Sequence, residues 1–178
     1  EGQCMMIRYA DDFVCACQSS KDAERFYKVL PKRLKKFNLD VAEDKTSLMR
    51  FSRFHAGRKR HFAFLGFEFY WGTDANGKAR LRRRTSVKKQ KATLSEYYQW
   101  IKAKRSLKLR EWLPQLKRKL LGFRNYFGLP DNSRSLSHLY NYVLHNLYKW
   151  LNKRSGRKRY NWSNFKKMLT YFKIEVLK

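Results

Sequence analysis

Residues 4–17 read CMMIRYADDFVCAC, and the two adjacent aspartates in this stretch decide how the chain is interpreted. Short apolar runs flank Asp11 and Asp12 on both sides, and this pattern predicts a β-hairpin with the aspartates at its tip. Neighbouring carboxylates repel each other, but together they are good ligands for a hard cation such as Mg²⁺. On the dipeptide alone, a polar turn and half of a metal site both remain open.

The charge of the chain points to a polyanionic partner. The 178 residues are 43% hydrophobic and 16% aromatic, which indicates a folded protein. The net charge is +28 and is uneven: residues 1–50 hold 10 basic and 8 acidic residues, net +2, whereas residues 51–178 hold 32 and 6, net +26. Nucleic acid is the first candidate partner and an anionic membrane surface is the second.

The membrane alternative is the weaker one. No apolar run approaches the roughly 20 residues that a spanning helix needs, and no signal peptide opens the chain. We therefore expect no membrane partner. The three cysteines, Cys4, Cys15 and Cys17, form no CxxC motif, and we expect buried strand thiols in a reducing compartment.

The pattern of apolar residues predicts two modules, an α+β part over residues 1–84 and an all-α basic bundle over 85–178. In the first module we expect, after the hairpin, a helix that Pro31 kinks or splits, short strands at 39–41 and 47–51, an aromatic strand from Phe62 to Trp71 and a returning strand from Lys78 to Arg83. In the second we expect helices near 86–104, 110–127, 134–153 and 161–171.

Several motifs occur in an order that resembles a known family. They are YADD at residues 9–12, DKTSLMRF at 44–51, FLGFEFYWG at 64–72, and elements at Leu120 to Gly128, Asn132 to Leu136 and Tyr160 to Phe165. The set is similar to the later palm and the thumb, or maturase, region of group II intron-encoded reverse transcriptases. The resemblance covers essentially the whole chain. It implies a partial reverse-transcriptase palm in residues 1–84 and a thumb/maturase domain in 85–178.

The resemblance implies an RNA-directed DNA polymerase that copies intron RNA into DNA by two-metal nucleotidyl transfer and assists group II intron splicing. Asp11 and Asp12 would be catalytic residues and Mg²⁺ ligands, with Asp11 the firmer ligand. Lys45 would lie near the incoming triphosphate, where a cation favours departure of pyrophosphate. A salt bridge from Lys45 to Asp44 or Glu43 is the structural alternative.

The family likeness also assigns primer contacts to Tyr9, Phe64, Leu65, Gly66 and Phe67. From the residues alone, a Tyr9 that contacts the primer cannot be distinguished from a Tyr9 that packs in the core. The segment 64–67 would equally fit a buried strand in which Gly66 allows close approach to the backbone, and the family likeness implies that the primer makes this approach.

The basic second half favours RNA binding, because Lys and Arg neutralise phosphates. The candidate RNA-binding residues are Arg80, Arg82, Arg83, Arg84, Lys88, Lys89, Lys117, Arg118, Arg124, Arg157, Lys158 and Arg159. Interleaved aromatic rings can stack on unpaired bases. For most of them we expect the bundle core instead; they are Trp112, Phe123, Tyr126, Phe127, Trp150, Trp162 and Phe165.

The implied partners are group II intron RNA, an RNA template with a DNA primer, and deoxynucleoside triphosphates, in a ribonucleoprotein of the bacterial cytoplasm or an organelle. Whether the full-length protein forms a homodimer stays open. The chain begins Glu1-Gly2-Gln3, and the family's other catalytic Asp lies before YADD, so we expect an incomplete metal site and no polymerase activity from these residues alone. Two alternatives remain, an RNA-binding maturase without polymerase activity and a domesticated, defence-linked reverse transcriptase.

Overall fold

The structure, a computed structural model, describes residues 2–54, 60–153 and 160–174, and it confirms the predicted α+β class. The strands are β1 (Cys4–Tyr9), β2 (Asp12–Cys17), β3 (His61–Phe64), β4 (Phe67–Thr73) and β5 (Ala79–Thr85). The helices are α1 (Ser20–Lys35), α2 (Val87–Lys104), α3 (Leu109–Phe127), α4 (Ser133–Asn152) and α5 (Trp162–Tyr171), with a 3₁₀ turn at Pro130–Asn132. The chain divides into two compact units, residues 1–65 with 69–82, and residues 66–68 with 83–178.

The predicted hairpin is present in the first unit. Strands β1 and β2 pair antiparallel from Cys4 opposite Cys17 to Tyr9 opposite Asp12. Ala10 and Asp11 form the two-residue turn, and Ala10 has a φ of 50°. Tight two-residue turns need positive φ, which is costly for a residue with a Cβ. The register therefore fixes Asp11 in the turn and Asp12 at the first position of β2.

The expectation of buried, reduced strand thiols is wrong for Cys4 and Cys17. Cys4 and Cys17 form a disulfide across the hairpin, because the register places them directly opposite each other with Cα atoms 4.1 Å apart. Cys15 is the free thiol and is half-buried, whereas Cys4 is exposed. Partial burial raises the pKa of the Cys15 thiol above its ordinary value.

The segment after the hairpin differs from the prediction in two ways. Helix α1 runs from Ser20 to Lys35 with Pro31 inside it, so Pro31 does not split the helix. The strands expected at 39–41 and 47–51 are absent, and the described residues 36–54 contain turns but neither helix nor strand. Strands need hydrogen-bonded neighbours, and these short β-prone runs have none in the described part of the chain.

The aromatic segment predicted as one strand from Phe62 to Trp71 is a hairpin. Strand β3 ends at Phe64 and β4 begins at Phe67, so Leu65 and Gly66 form the turn, with φ values of 51° and 77°. Two consecutive positive φ angles are typical of the turns that join antiparallel strands. The sheet order is β3-β4-β5. The expected β4–β5 turn is present, and the Asp74 carboxylate closes it by accepting hydrogen bonds from the backbone N–H groups of Asn76 and Lys78.

The second unit has a helical core. Helices α2 to α5 lie within a few residues of the predicted positions, because their apolar residues recur with the 3.6-residue period. The core side chains without measurable exposure are Ile101, Trp112, Leu113, Leu116, Val143, Leu147 and Phe165. None of the helices in the described ranges has the length and apolarity that crossing a lipid bilayer requires.

Candidate functional site

The hairpin tip presents both carboxylates to solvent. Asp11 and Asp12 are exposed, and so is Tyr9, at 66% of its maximal surface. The Arg8 Nε–H donates to the carbonyl oxygen of Ala10 at 2.8 Å, which holds the turn backbone in place. Tyr9 is therefore not a core aromatic in this unit. Its side chain is accessible to a ligand.

The chemistry of the tip fits a hard divalent cation. Carboxylate oxygens are acceptors only, and Mg²⁺ commonly takes one or two of them together with substrate phosphates. Among the residues that the structure describes, no cluster of three or more His, Cys, Asp or Glu side chains could hold a metal ion. Asp11 and Asp12 thus form a pair to which further ligands would have to be added.

Lys45 lies in a turn of its own. Its backbone N–H donates to the Ala42 carbonyl at 3.0 Å, and the Thr46 hydroxyl donates to the same carbonyl at 2.8 Å. The Lys45 side chain is exposed, and within the described residues it forms no ion pair with Asp44 or Glu43. The salt-bridge alternative is therefore wrong, and the ammonium group is available to an anion.

The predicted primer contacts lie at the β3–β4 turn. Gly66 packs against an aromatic ring, since a Cβ at this position would lie 3.3 Å from Cζ of Phe127. The Phe67 ring lies against Phe127, with centroids 4.9 Å apart, and stacks on Tyr126 at 5.8 Å. The close approach that the sequence predicted at Gly66 is thus made by Phe127, a side chain of the protein itself.

The basic residues of β5 are less available than the sequence suggests. The Arg82 guanidinium donates to the Thr73 carbonyl, Arg83 pairs with Asp131 at 3.5 Å, and Arg84 pairs with the buried Glu68 at 2.5 Å. These partners are 9 to 48 residues away along the chain, so no local pattern could have revealed them. Arg80 is exposed and has no carboxylate partner among the described residues.

The other candidate RNA-binding residues fall into two groups. Lys88, Lys89, Arg118 and Arg124 are exposed and Lys117 is half-buried. The structure therefore leaves them accessible to phosphates. Arg157, Lys158 and Arg159 lie outside the described residues.

Most of the aromatic residues belong to the core, as expected. Trp112 and Phe165 have no exposed surface and Phe127 retains 4%. Tyr126 and Trp162 are half exposed, and Trp162 stacks on Tyr148 with centroids 4.4 Å apart. A ring that is already stacked on a neighbour has one face left for a base.

One buried tyrosine of the second unit is kept in its neutral form. Burial raises the pKa of Tyr97 far above its ordinary value, and the adjacent Glu96 carboxylate adds to the shift. Glu96 is itself paired with Lys119 at 2.7 Å. The Tyr97 hydroxyl therefore stays protonated over the physiological pH range.

Comparison with known families gives two matches that follow each other along the chain. Residues 1–69 match the family model described as reverse transcriptase (RNA-dependent DNA polymerase). Residues 87–171 match the model described as the group II intron, maturase-specific domain. No curated protein matches the chain.

Proposed function

Because this chain belongs to the group II intron reverse transcriptase/maturases, we propose that it serves RNA-directed DNA synthesis on intron RNA and assists splicing of that RNA. One observation carries the proposal. Within the segment that matches reverse transcriptases, the exposed Asp11 and Asp12 occupy the tip of a hairpin, and a basic helical domain that matches maturases follows. We assign residues 1–84 to the palm and 85–178 to the thumb/maturase domain.

The proposed chemistry is nucleotidyl transfer from a deoxynucleoside triphosphate to a DNA primer on an RNA template. Asp11, with Asp12 beside it, would hold Mg²⁺, which when bound polarises the reacting phosphate and neutralises the leaving pyrophosphate. Lys45, exposed and without an ion pair among the described residues, would add positive charge at the pyrophosphate. Tyr9 and the turn residues 64–67 would contact the primer.

Two carboxylates make an incomplete two-metal site. Two adjacent exposed carboxylates without further ligands hold Mg²⁺ weakly, because each remains well hydrated and no enclosing cage forms. We therefore propose that the 178 residues alone do not extend a primer, and that a further carboxylate must join Asp11 at the hairpin. The splicing role would rest on RNA binding by the basic residues of the second unit.

A chimaera tests the catalytic assignment. Residues 1–178 would replace the corresponding segment of an active group II intron reverse transcriptase, and primer extension would be measured on poly-rA primed with oligo-dT. We expect extension by the chimaera and a loss of at least about a thousandfold in Asp11→Asn, since removing a metal-binding carboxylate removes charge stabilisation in the transition state.

Asp40→Asn is the matched control, because Asp40 is exposed and carries the same charge outside the hairpin. It should extend primers as well as the unsubstituted chimaera. Equal activity of the two variants would refute the catalytic role of Asp11. A chimaera that supports splicing but makes no DNA would favour the alternative of a maturase without polymerase activity.

A further inference from the structure

Three cations surround the ring of Trp150 in the second unit. The Arg105 guanidinium carbon lies 4.9 Å from the ring centroid, and the ammonium nitrogens of Lys102 and Lys149 each lie 5.9 Å from it. Lys102 and Arg105 come from the C-terminal end of α2, whereas Lys149 comes from the last turns of α4. Two helices thus bring three positive charges to one indole. We call these four residues the Trp150 patch.

No carboxylate among the described residues compensates these charges. The ion pairs there are Arg83–Asp131, Arg84–Glu68 and Lys119–Glu96, and none includes a member of the patch. Like charges so close together repel each other. Cation–π attraction offsets only about 0.5–1 kcal/mol for each exposed cation. The arrangement therefore gains most from an anionic ligand with several charges.

The indole itself is not available for stacking on a base. Cations occupy positions over its ring, and its Nε1 is buried without a hydrogen-bond partner among the described residues. A second ring, that of Tyr98, packs against Trp150 edge-on with centroids 5.8 Å apart. Trp150 therefore positions the cations and leaves their charged groups to meet the ligand.

The backbone at the end of α2 holds this geometry. Arg105 is the C-cap residue, and its guanidinium donates to the Lys102 carbonyl at 3.4 Å. A cation at a helix C-terminus is favoured by the helix dipole. Arg105 is thus anchored to its own helix while it lies over the ring of a residue in α4.

From this geometry we infer that the Trp150 patch is a site for the RNA phosphate backbone, independent of base sequence. The inference rests on the proposed RNA-binding function and adds a surface to it, since none of the four residues is among the candidate RNA-binding residues predicted from the sequence. Lysines and arginines that only make a helix face generally basic need no common aromatic partner, whereas here one indole gathers all three cations. RNA, with a phosphate at every nucleotide, supplies closely spaced charges.

The test is salt-dependent binding of a fluorescent, mixed-sequence RNA duplex to the full chain, followed by anisotropy. Bases in a duplex are already stacked, so binding reports on phosphate contacts. In Lys102→Gln/Arg105→Gln/Lys149→Gln we expect Kd to rise about tenfold or more, and the slope of log K against log salt to become shallower by about two to three. Lys149→Gln alone should change the slope by about one.

The matched control is Lys28→Gln/Lys32→Gln/Lys35→Gln, which removes the same charge from exposed positions of α1. Its slope should change by less than about one. If both triple variants lose affinity equally, net charge alone governs binding and the patch is refuted. If the unsubstituted chain binds vesicles of anionic lipid but no duplex RNA, the proposed RNA-binding function fails as well. Circular dichroism of each variant verifies that it is folded.

Discussion

Asn132 and Thr85 are joined by two hydrogen bonds inside the second unit. The Thr85 N–H donates to Asn132 Oδ1 at 2.7 Å, and Asn132 Nδ2 donates to Thr85 Oγ1 at 2.8 Å. Nδ2 also donates to the carbonyl of Phe127 at 2.9 Å. Both residues are buried, with 0% and 1% of their surface exposed. One amide side chain thus ties the end of β5 to the end of α3.

This link predicts a large effect of Asn132→Ala on stability. The substitution leaves the buried Thr85 N–H without its partner, which costs about 1–3 kcal/mol. It also removes the hydrogen bonds from Nδ2 to Thr85 Oγ1 and to the Phe127 carbonyl, each worth about 0.5–1.5 kcal/mol, although that carbonyl keeps the hydrogen bond from the Leu129 N–H. We expect the free energy of unfolding to fall by about 3 kcal/mol, measured by urea denaturation. Asn125→Ala, at an exposed position of α3, should change it by less than about 0.5 kcal/mol. Similar losses in both variants would contradict the proposed role of the buried amide.

A second prediction concerns the turn between β3 and β4. Gly66→Ala places a Cβ at positive φ and 3.3 Å from the Phe127 ring, so it adds a steric conflict to backbone strain. Gly77→Ala is the matched control, because Gly77 has nearly the same φ, 75°, and nothing within 4 Å of its added Cβ. Backbone strain should lower the free energy of unfolding of both variants by about 1 kcal/mol, and the contact with Phe127 should lower that of Gly66→Ala by about another 1 kcal/mol. Thermal unfolding measures both losses. Equal losses in the two variants would contradict the prediction, because they would mean that the Phe127 ring moves aside at no cost.

The helices could be predicted closely from the sequence, whereas the pairings between distant residues could not. The apolar period of α2 to α5 is a local property, and each predicted helix starts and ends within a few residues of the observed one. The disulfide between Cys4 and Cys17 depends on the register of two strands, and the Arg84–Glu68 pair depends on a neighbouring strand. The turn at Leu65–Gly66 is not evident from the sequence, because Leu rarely adopts the positive φ that it has here.

In the candidate site, too, local features could be predicted from the sequence and pairings between distant residues could not. The Asp pair at a hairpin tip follows from the short apolar runs that flank the two carboxylates, and the structure has this hairpin. The basic residues of β5 were grouped by sequence alone, yet three of them have partners within the protein. Their contribution to RNA binding depends on that pairing, which only the fold reveals.

A third prediction separates the two kinds of arginine in β5. Arg80→Gln removes an exposed charge without a carboxylate partner among the described residues, so it should weaken binding of duplex RNA and leave stability unchanged. Arg84→Gln removes the salt bridge to Glu68, which is only 6% exposed, so it should lower the free energy of unfolding by about 1–2 kcal/mol. Fluorescence anisotropy and urea denaturation measure the two effects. The assignment fails if Arg84→Gln weakens RNA binding more than Arg80→Gln does.

The last prediction concerns the thiols of the first hairpin. Without reductant, the denatured chain should show one reactive thiol, Cys15, and three after reduction, because Cys4 and Cys17 are joined. In the folded chain, alkylation of Cys15 at pH 8 should be slower than that of a model thiol, since its raised pKa lowers the thiolate fraction. Cys4→Ser/Cys17→Ser should lower the melting temperature of the chain, because closing a loop of about 15 residues contributes about 3 kcal/mol to stability. Cys15→Ser is the control, and its melting temperature should be unchanged. Three reactive thiols in the denatured chain without reductant would rule out the disulfide.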